Sequence, residues 1–198
     1  MSEMLEFIKG RRSTRSFKDQ PIPQEYLEEI LEAGRHAPSG GNSQTTHFIV
    51  IRNKEVMDKL ADIATAEFAK MEVTENTYRS LAGAIRASKK GKFNFHYFCP
   101  VLIVTANKIG YGNSMADCSC ALENMMLMAN ALNLGSVWIN QLHWLTDTDA
   151  LKEYMHTLGL GEDEWICGAL AVGYPNTPDG LPNREALPRT GNPVTFVD

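Results

Sequence analysis

The chain has 198 residues, 43% of them apolar and 22% charged, with a formal net charge of −5. That length can bury the core of one domain, and an acidic balance lacks the broad basic face with which a nucleic-acid binder displaces counterions from phosphates. No apolar run reaches the length of a membrane span, and the acidic opening is too short in apolar content for a signal peptide, so a single cytoplasmic domain over 1–198 is expected.

In chain order, a short amphipathic helix is expected over 4–9, delivering Lys9-Gly10-Arg11-Arg12-Ser13-Thr14-Arg15 at its end. Four cations, two hydroxyls and a glycine within seven residues make either an anion trap or a solvated charged turn. Arginine favours the trap, because its planar fork grips phosphate oxygens through paired charge-assisted hydrogen bonds. Pro21-Ile22-Pro23 then interrupts the chain, and 24–36 reads as a helix with Tyr26, Leu27, Ile30, Leu31 and Gly34 on one face. The small residues of Ala37-Pro38-Ser39-Gly40-Gly41-Asn42 predict a loop that a flat ligand can approach closely.

The run 47–52 predicts a buried strand, and Val56, Leu60, Ile63, Ala64, Phe68 and Met71 follow helical spacing. Between 74 and 92 the pattern weakens into either a lid or a solvated excursion. A second buried strand is expected over 100–106, followed by the longest helix at 114–133. Its methionines and alanines widen the apolar surface beyond one face, which demands cover on more than one side, and a partner subunit is one source of it. A strand over 134–140, a helix capped at Thr146 or Thr148 and stopped at Gly159, and a strand over 165–174 complete an α/β or α+β pattern. The segment 175–193 holds five prolines and no periodicity before the strand-like 194–197, as in an extended arm that adds an edge strand to a second subunit.

Other chemistries find little support. The four cysteines read as buried free thiols, and Cys118-Ser119-Cys120 lacks the second ligand pair of a zinc site. Gly110-Tyr111-Gly112 follows a strand, but Met115 stands where a dinucleotide fingerprint needs its third glycine. The histidines show no metal spacing and no nucleophile elbow; His143 and Trp144, just beyond the strand at 134–140, are candidate substrate contacts.

Taken together, Arg11-Arg12-Ser13-x-Arg15-x-Phe17, Ala37-Pro38-Ser39-x-x-Asn42-x-Gln44, Asp117 opening a hydrophobic helix, Leu134-Gly135-Ser136-x-Trp138-Ile139, Val172-Gly173-Tyr174-Pro175 and Pro188-Arg189 resemble the FMN-dependent nitroreductase family over nearly the whole chain. The resemblance implies an α+β fold with a central mixed sheet flanked by helices. It also implies an intertwined homodimer with two FMN sites between subunits, and a C-terminal arm over 175–198. By the same resemblance, Arg11, Arg12 and Ser13 hold the FMN phosphate with Arg189 reaching in from the tail, and Arg15 lies at the pyrimidine edge of the flavin. Pro38, Ser39, Gly40 and Asn42 line the cofactor from the other subunit, while Asn140 and Gln141 flank the ring, and Lys92 or Asn94 is a further candidate contact. The implied reaction is ping-pong transfer from NAD(P)H, through bound FMN, to a small acceptor such as a nitroaromatic, quinone, enone or flavin. Two features depart from the family: Thr45-Thr46 where a proline and an aromatic residue often follow Gln44, and Asn140-Gln141-Leu142 where glycines often follow Trp138-Ile139. A flavin-storage protein and a specialised enzyme such as a reductive dehalogenase are the alternatives.

Overall fold

A computed structural model describes residues 2–91 and 93–198. The elements in order are α1 (Glu3–Gly10), α2 (Gln24–Arg35), β1 (His47–Ile51), α3 (Lys54–Lys70), α4 (Arg79–Lys89), β2 (Val101–Lys108), α5 (Ser114–Ala131), β3 (Gly135–Ile139), the single turn α6 (Gln141–Trp144), α7 (Asp149–Thr157) and β4 (Glu164–Gly173). The strands lie in the order β1-β2-β4-β3.

Every neighbouring pair of strands is antiparallel, which corrects the mixed sheet expected from the resemblance. Among the described residues, parallel pairing is confined to an isolated bridge between Ser13 and Ser136. Apolar runs that are continuous rather than alternating identify strands covered on both faces, and alternate residues indeed enter two separate cores. Leu102, Val104, Ala169, Ala171, Val137 and Ile139 face α3, α4, α6 and α7, whereas Val101, Ile103, Leu170 and Val172 face α2 and α5.

That layering answers the question posed by the apolar breadth of α5. Its inner residues Cys118, Leu122, Met125 and Ala129 are fully buried, with the sheet on one side and α2 on the other, so cover on two sides comes from within the chain, while Met115, Leu127 and Met128 stay half-buried. The helix stops at a Schellman turn: Asn133 takes a left-handed φ of 60°, the Asn133 amide donates to the Asn130 carbonyl at 3.2 Å, and the Leu134 amide donates to the Ala129 carbonyl at 2.8 Å. Gly135 is therefore free of the stop signal and serves a different purpose at the site.

Within the stretch left open between lid and excursion, Arg79–Lys89 forms α4 with Ala82, Ala84, Ile85 and Ser88 turned inward, and Lys92 lies outside the described residues. Beyond β4, the Arg184 guanidinium fixes the tail to the end of α5 by donating to the Asn130 carbonyl at 2.6 Å and to Asn133 Oδ1 at 2.8 Å. Past that anchor the chain is exposed, with no strand over 194–197. Among the described residues, no helix is long and apolar enough to cross a membrane.

Candidate active site

The basic loop is held along the outer edge of β3. The Thr14 amide donates to the Ser136 carbonyl at 2.9 Å, the Lys18 amide to the Tyr174 carbonyl at 2.9 Å, and the Asn176 amide to the Ser16 carbonyl at 3.0 Å. This approach requires a glycine at the start of β3. A Cβ on Gly135 would stand 2.6 Å from both Thr14 Cγ2 and Thr14 Oγ1.

So docked, Ser13 and Arg15 form one wall of a cavity of about 500 Å³. Asn140 and Gln141, just past β3, form another, and Trp138 and Trp144 belong to the same lining. Tyr78, Phe93 and Tyr97 close the remaining side from the α4 region. Trp144 packs edge-on against Tyr78 at 6.2 Å and against Phe68 at 6.4 Å, so its ring is braced from two directions. Arg11 lies beside the cavity's basic wall in sequence, with its Nε 3.9 Å from Glu123 Oε1, and Arg12 is half-buried. The lining thus combines a cation and a hydroxyl, two side-chain amides and aromatic faces. That set suits a planar heterocycle with polar edges and an anionic tail.

The other expected residues stand elsewhere. Pro38 and Ser39 line a separate cavity of about 180 Å³ with Gly34 and Thr46. Gly40 and Asn42 lie on the turn between α2 and β1, where the buried Asp117 carboxylate orders the backbone. Asp117 Oδ1 accepts from the Gly40 amide at 3.0 Å, and Oδ2 accepts from the Tyr111 hydroxyl at 3.0 Å and Ser43 Oγ at 3.4 Å. Arg189 lines a third cavity against Glu6 and Lys9 of α1. His143, a candidate substrate contact, lies against β4: its Nδ1 pairs with the Ile166 carbonyl at 2.8 Å and its ring meets Trp165 edge-on at 5.5 Å.

Asn94 spends its amide locally. Its Oδ1 accepts from the His96 amide at 3.1 Å and the Phe98 amide at 3.4 Å, and its Nδ2 donates to His96 Nε2 at 2.9 Å. Lys92 lies outside the described residues. The four cysteines are free thiols, Cys120 exposed and the others buried. Among the described residues no cluster of His, Cys, Asp and Glu is placed to hold a metal. Sequence reasoning missed Tyr78, Phe93 and Tyr97, which carry the aromatic wall from a stretch with no motif. It also missed the anchoring role of Asp117, for which the only signal was an acid at the start of an otherwise apolar helix.

Residues 8–174 match the Nitroreductase family. This chain belongs to that family. Over 175 residues it is 34% identical to a protein from Archaeoglobus fulgidus named for NADH dehydrogenase/NAD(P)H nitroreductase activity, an alignment spanning 88% of this chain and 87% of the relative. Among solved structures, a nitroreductase from Bacteroides fragilis with bound FMN superposes with a TM-score of 0.85 at 32% identity, over 100% of both chains. The iodotyrosine deiodinase of Hydra vulgaris is 27% identical over 91% of this chain and 68% of its own length. The cavity at the β3 edge is therefore the candidate active site of a nitroreductase-family fold.

Proposed function

We propose that this chain is an FMN-dependent oxidoreductase that takes electrons from NAD(P)H and passes them to a small aromatic or conjugated acceptor. The observation that carries the reading is the convergence of Ser13, Arg15, Asn140 and Gln141, distant in sequence, on one aromatic-walled cavity. The FMN-bound Bacteroides fragilis structure supports the same reading.

The residues fit that cofactor by their chemistry. Arg11, Arg12 and Ser13 would hold its phosphate, and Asn140 and Gln141 would hold the polar ring edge. Bound FMN supplies reversible acceptance of a hydride. Arg15 brings a fixed cation to the cavity wall, which favours the redox form with more negative charge. Trp138, Trp144, Tyr78, Phe93 and Tyr97 exclude water and offer faces for stacking. No acid, base or nucleophile from the protein is needed for hydride transfer itself. Because one cavity must receive both the nicotinamide and the acceptor, the two take turns in it, which is a ping-pong cycle.

A second copy completes the site in this proposal. Pro38, Ser39 and Arg189 line cavities separate from that of Arg15 within one chain, and the exposed tail carries Val194, Phe196 and Val197 with no apolar cover. A homodimer in which the Pro38–Asn42 turn and the tail arm come from the partner would bring those residues to the cofactor. The test is an absorbance spectrum after incubation with FMN and desalting, followed by anaerobic NADH or NADPH in the same cuvette. Retained yellow colour that bleaches is expected, and nitroaromatic, quinone and iodoaromatic acceptors then rank the substrate class. A colourless protein overturns the FMN reading, and bound FMN that no nicotinamide bleaches leaves a storage protein.

A further inference from the structure

Glycine is the least favourable residue in a helix interior after proline, yet Gly83 stands in the middle of α4. The fold itself gives no reason for it. Gly83 does not take a left-handed φ, and a Cβ built on it would meet no heavy atom within 4 Å among the described residues. Glycines that the fold requires look different: a Cβ on Gly34 would stand 2.9 Å from Met125 Cγ, and one on Gly173 would stand 2.5 Å from Pro100 Cδ.

What borders Gly83 is the candidate active site. Ser80, Gly83 and Ala84 all line that cavity, and their i, i+3, i+4 spacing puts them on one face of α4. The longer side chains of the helix go elsewhere, since Ile85 is buried in the core and Leu81 packs against it. The α4 residues of the lining therefore offer nothing longer than the Ser80 hydroxymethyl group, and Ser80 and Gly83 are exposed on the open side of the cavity.

In the flavin reading above, Ser13, Arg15, Asn140 and Gln141 are occupied with the cofactor. The nicotinamide and the acceptor, which take turns beside it, need a surface that the flavin leaves free, and the α4 face is one. The aromatic side of the cavity yields little, because the Trp144 ring is braced by Tyr78 at 6.2 Å and Phe68 at 6.4 Å. Width for a larger ring system then has to come from a position where a side chain is missing. We infer that Gly83 is a specificity-determining residue of the acceptor site. Its bare backbone admits planar acceptors of two fused rings, and a side chain at this position narrows the site to single rings. The inference rests on the flavin reading.

The test compares Gly83→Leu and Gly83→Ala with the unmutated chain, all incubated with FMN. Benzamide and 2-naphthamide, which differ by one fused ring, are titrated against the flavin absorbance of the oxidised protein. The unmutated protein binds both, and Gly83→Leu takes up FMN but lowers the affinity for 2-naphthamide relative to benzamide at least about tenfold. The ratio of kcat/KM for 1,4-naphthoquinone over 1,4-benzoquinone falls in the same direction. Gly83→Ala raises the urea midpoint, because alanine is the better helix former and its methyl meets no neighbour. The inference is overturned by an affinity ratio that Gly83→Leu leaves unchanged, by unmutated FMN-loaded protein that binds neither amide, or by loss of FMN uptake in Gly83→Leu alone. A lowered urea midpoint in Gly83→Ala also overturns it, since the glycine would then serve the fold or a second copy. An unmutated chain that takes up no FMN strikes the flavin reading itself, and the inference falls with it.

Discussion

Gly135→Ala tests whether the basic loop is positioned by its contact with β3. The added methyl would lie 2.6 Å from Thr14 Oγ1 and Cγ2 and 2.7 Å from Thr14 Cβ, about 1 Å inside a comfortable carbon contact. Thr14 has little room to yield: its χ1 is stiff, its amide is tied to the Ser136 carbonyl at 2.9 Å, and Ser13 bridges to Ser136. Overpacking of this kind costs about 1–3 kcal/mol. Because the same movement displaces Ser13 and Arg15 from the cavity wall, FMN affinity falls roughly tenfold or more. Urea unfolding at constant m-value reads the first effect and flavin fluorescence quenching reads the second. Adding Thr14→Gly to Gly135→Ala removes the clash and restores both, giving a coupling energy of opposite sign to the single substitution. Unchanged stability and affinity in Gly135→Ala would refute the argument. A loss of stability alone would mean that the docked loop serves the fold and not the site.

Arg11→Ala should weaken FMN binding by about 1.5–3 kcal/mol through loss of a charge-assisted phosphate contact, read by equilibrium titration; unchanged affinity removes that assignment. Asp117→Asn faces three donors with an amide and should cost about 1–3 kcal/mol in chemical denaturation, whereas Tyr111→Phe, which removes one of those donors, should cost about 1 kcal/mol. His96 has a pKa lowered from 6.5 in the folded chain, so below that pH the unfolded state binds the extra proton and stability falls as pH decreases through 6.5. His96→Phe should flatten that slope in urea titrations at several pH values, and an unaltered slope assigns the pH dependence elsewhere. Deleting 185–198 removes the exposed apolar tail beyond the Arg184 anchor, and sedimentation should then show monomer where the full chain, in the proposed reading, sediments as a dimer; an unchanged dimer would place the interface entirely on other surfaces.

Legibility in the sequence followed the strength of the physical signal. The three longest helices were legible because their apolar residues recur at helical spacing, and the strands because β-branched runs are continuous. That continuity also hid strand direction, since a strand buried on both faces reads the same whether its neighbours are parallel or antiparallel. The α4 helix escaped notice because its inward residues, Ala82, Ala84, Ile85 and Ser88, are mostly too small or polar to show a stripe against its lysines and arginines. At the site, the basic loop was legible through the family motif and Asn140-Gln141 only by their place just after the Trp138-Ile139 motif, and the cavity collects Ser13, Arg15, Asn140 and Gln141 together with Trp144. The wall made by Tyr78, Phe93 and Tyr97 was not, because neither Tyr78 in the loop before α4 nor the irregular 93–98 segment belongs to a motif.

The apolar breadth of α5 does not by itself decide for a partner, since α2 covers its inner residues while Leu127 and Met128 stay half-buried. The case for a second copy moves to two other features. One is energetic: Phe196 and Val197 are 86% and 91% exposed on a tail whose root is fixed by Arg184, and exposed apolar residues on an anchored segment gain stability only by finding a surface outside the chain. The other is chemical. The turn bearing Pro38 and Ser39 is rigidly set by Asp117, yet it opens on a cavity distinct from the one lined by Arg15. A loop ordered by a buried carboxylate cannot swing across the molecule to reach Arg15 of its own chain, so in the proposed reading the two half-sites meet only where two chains do.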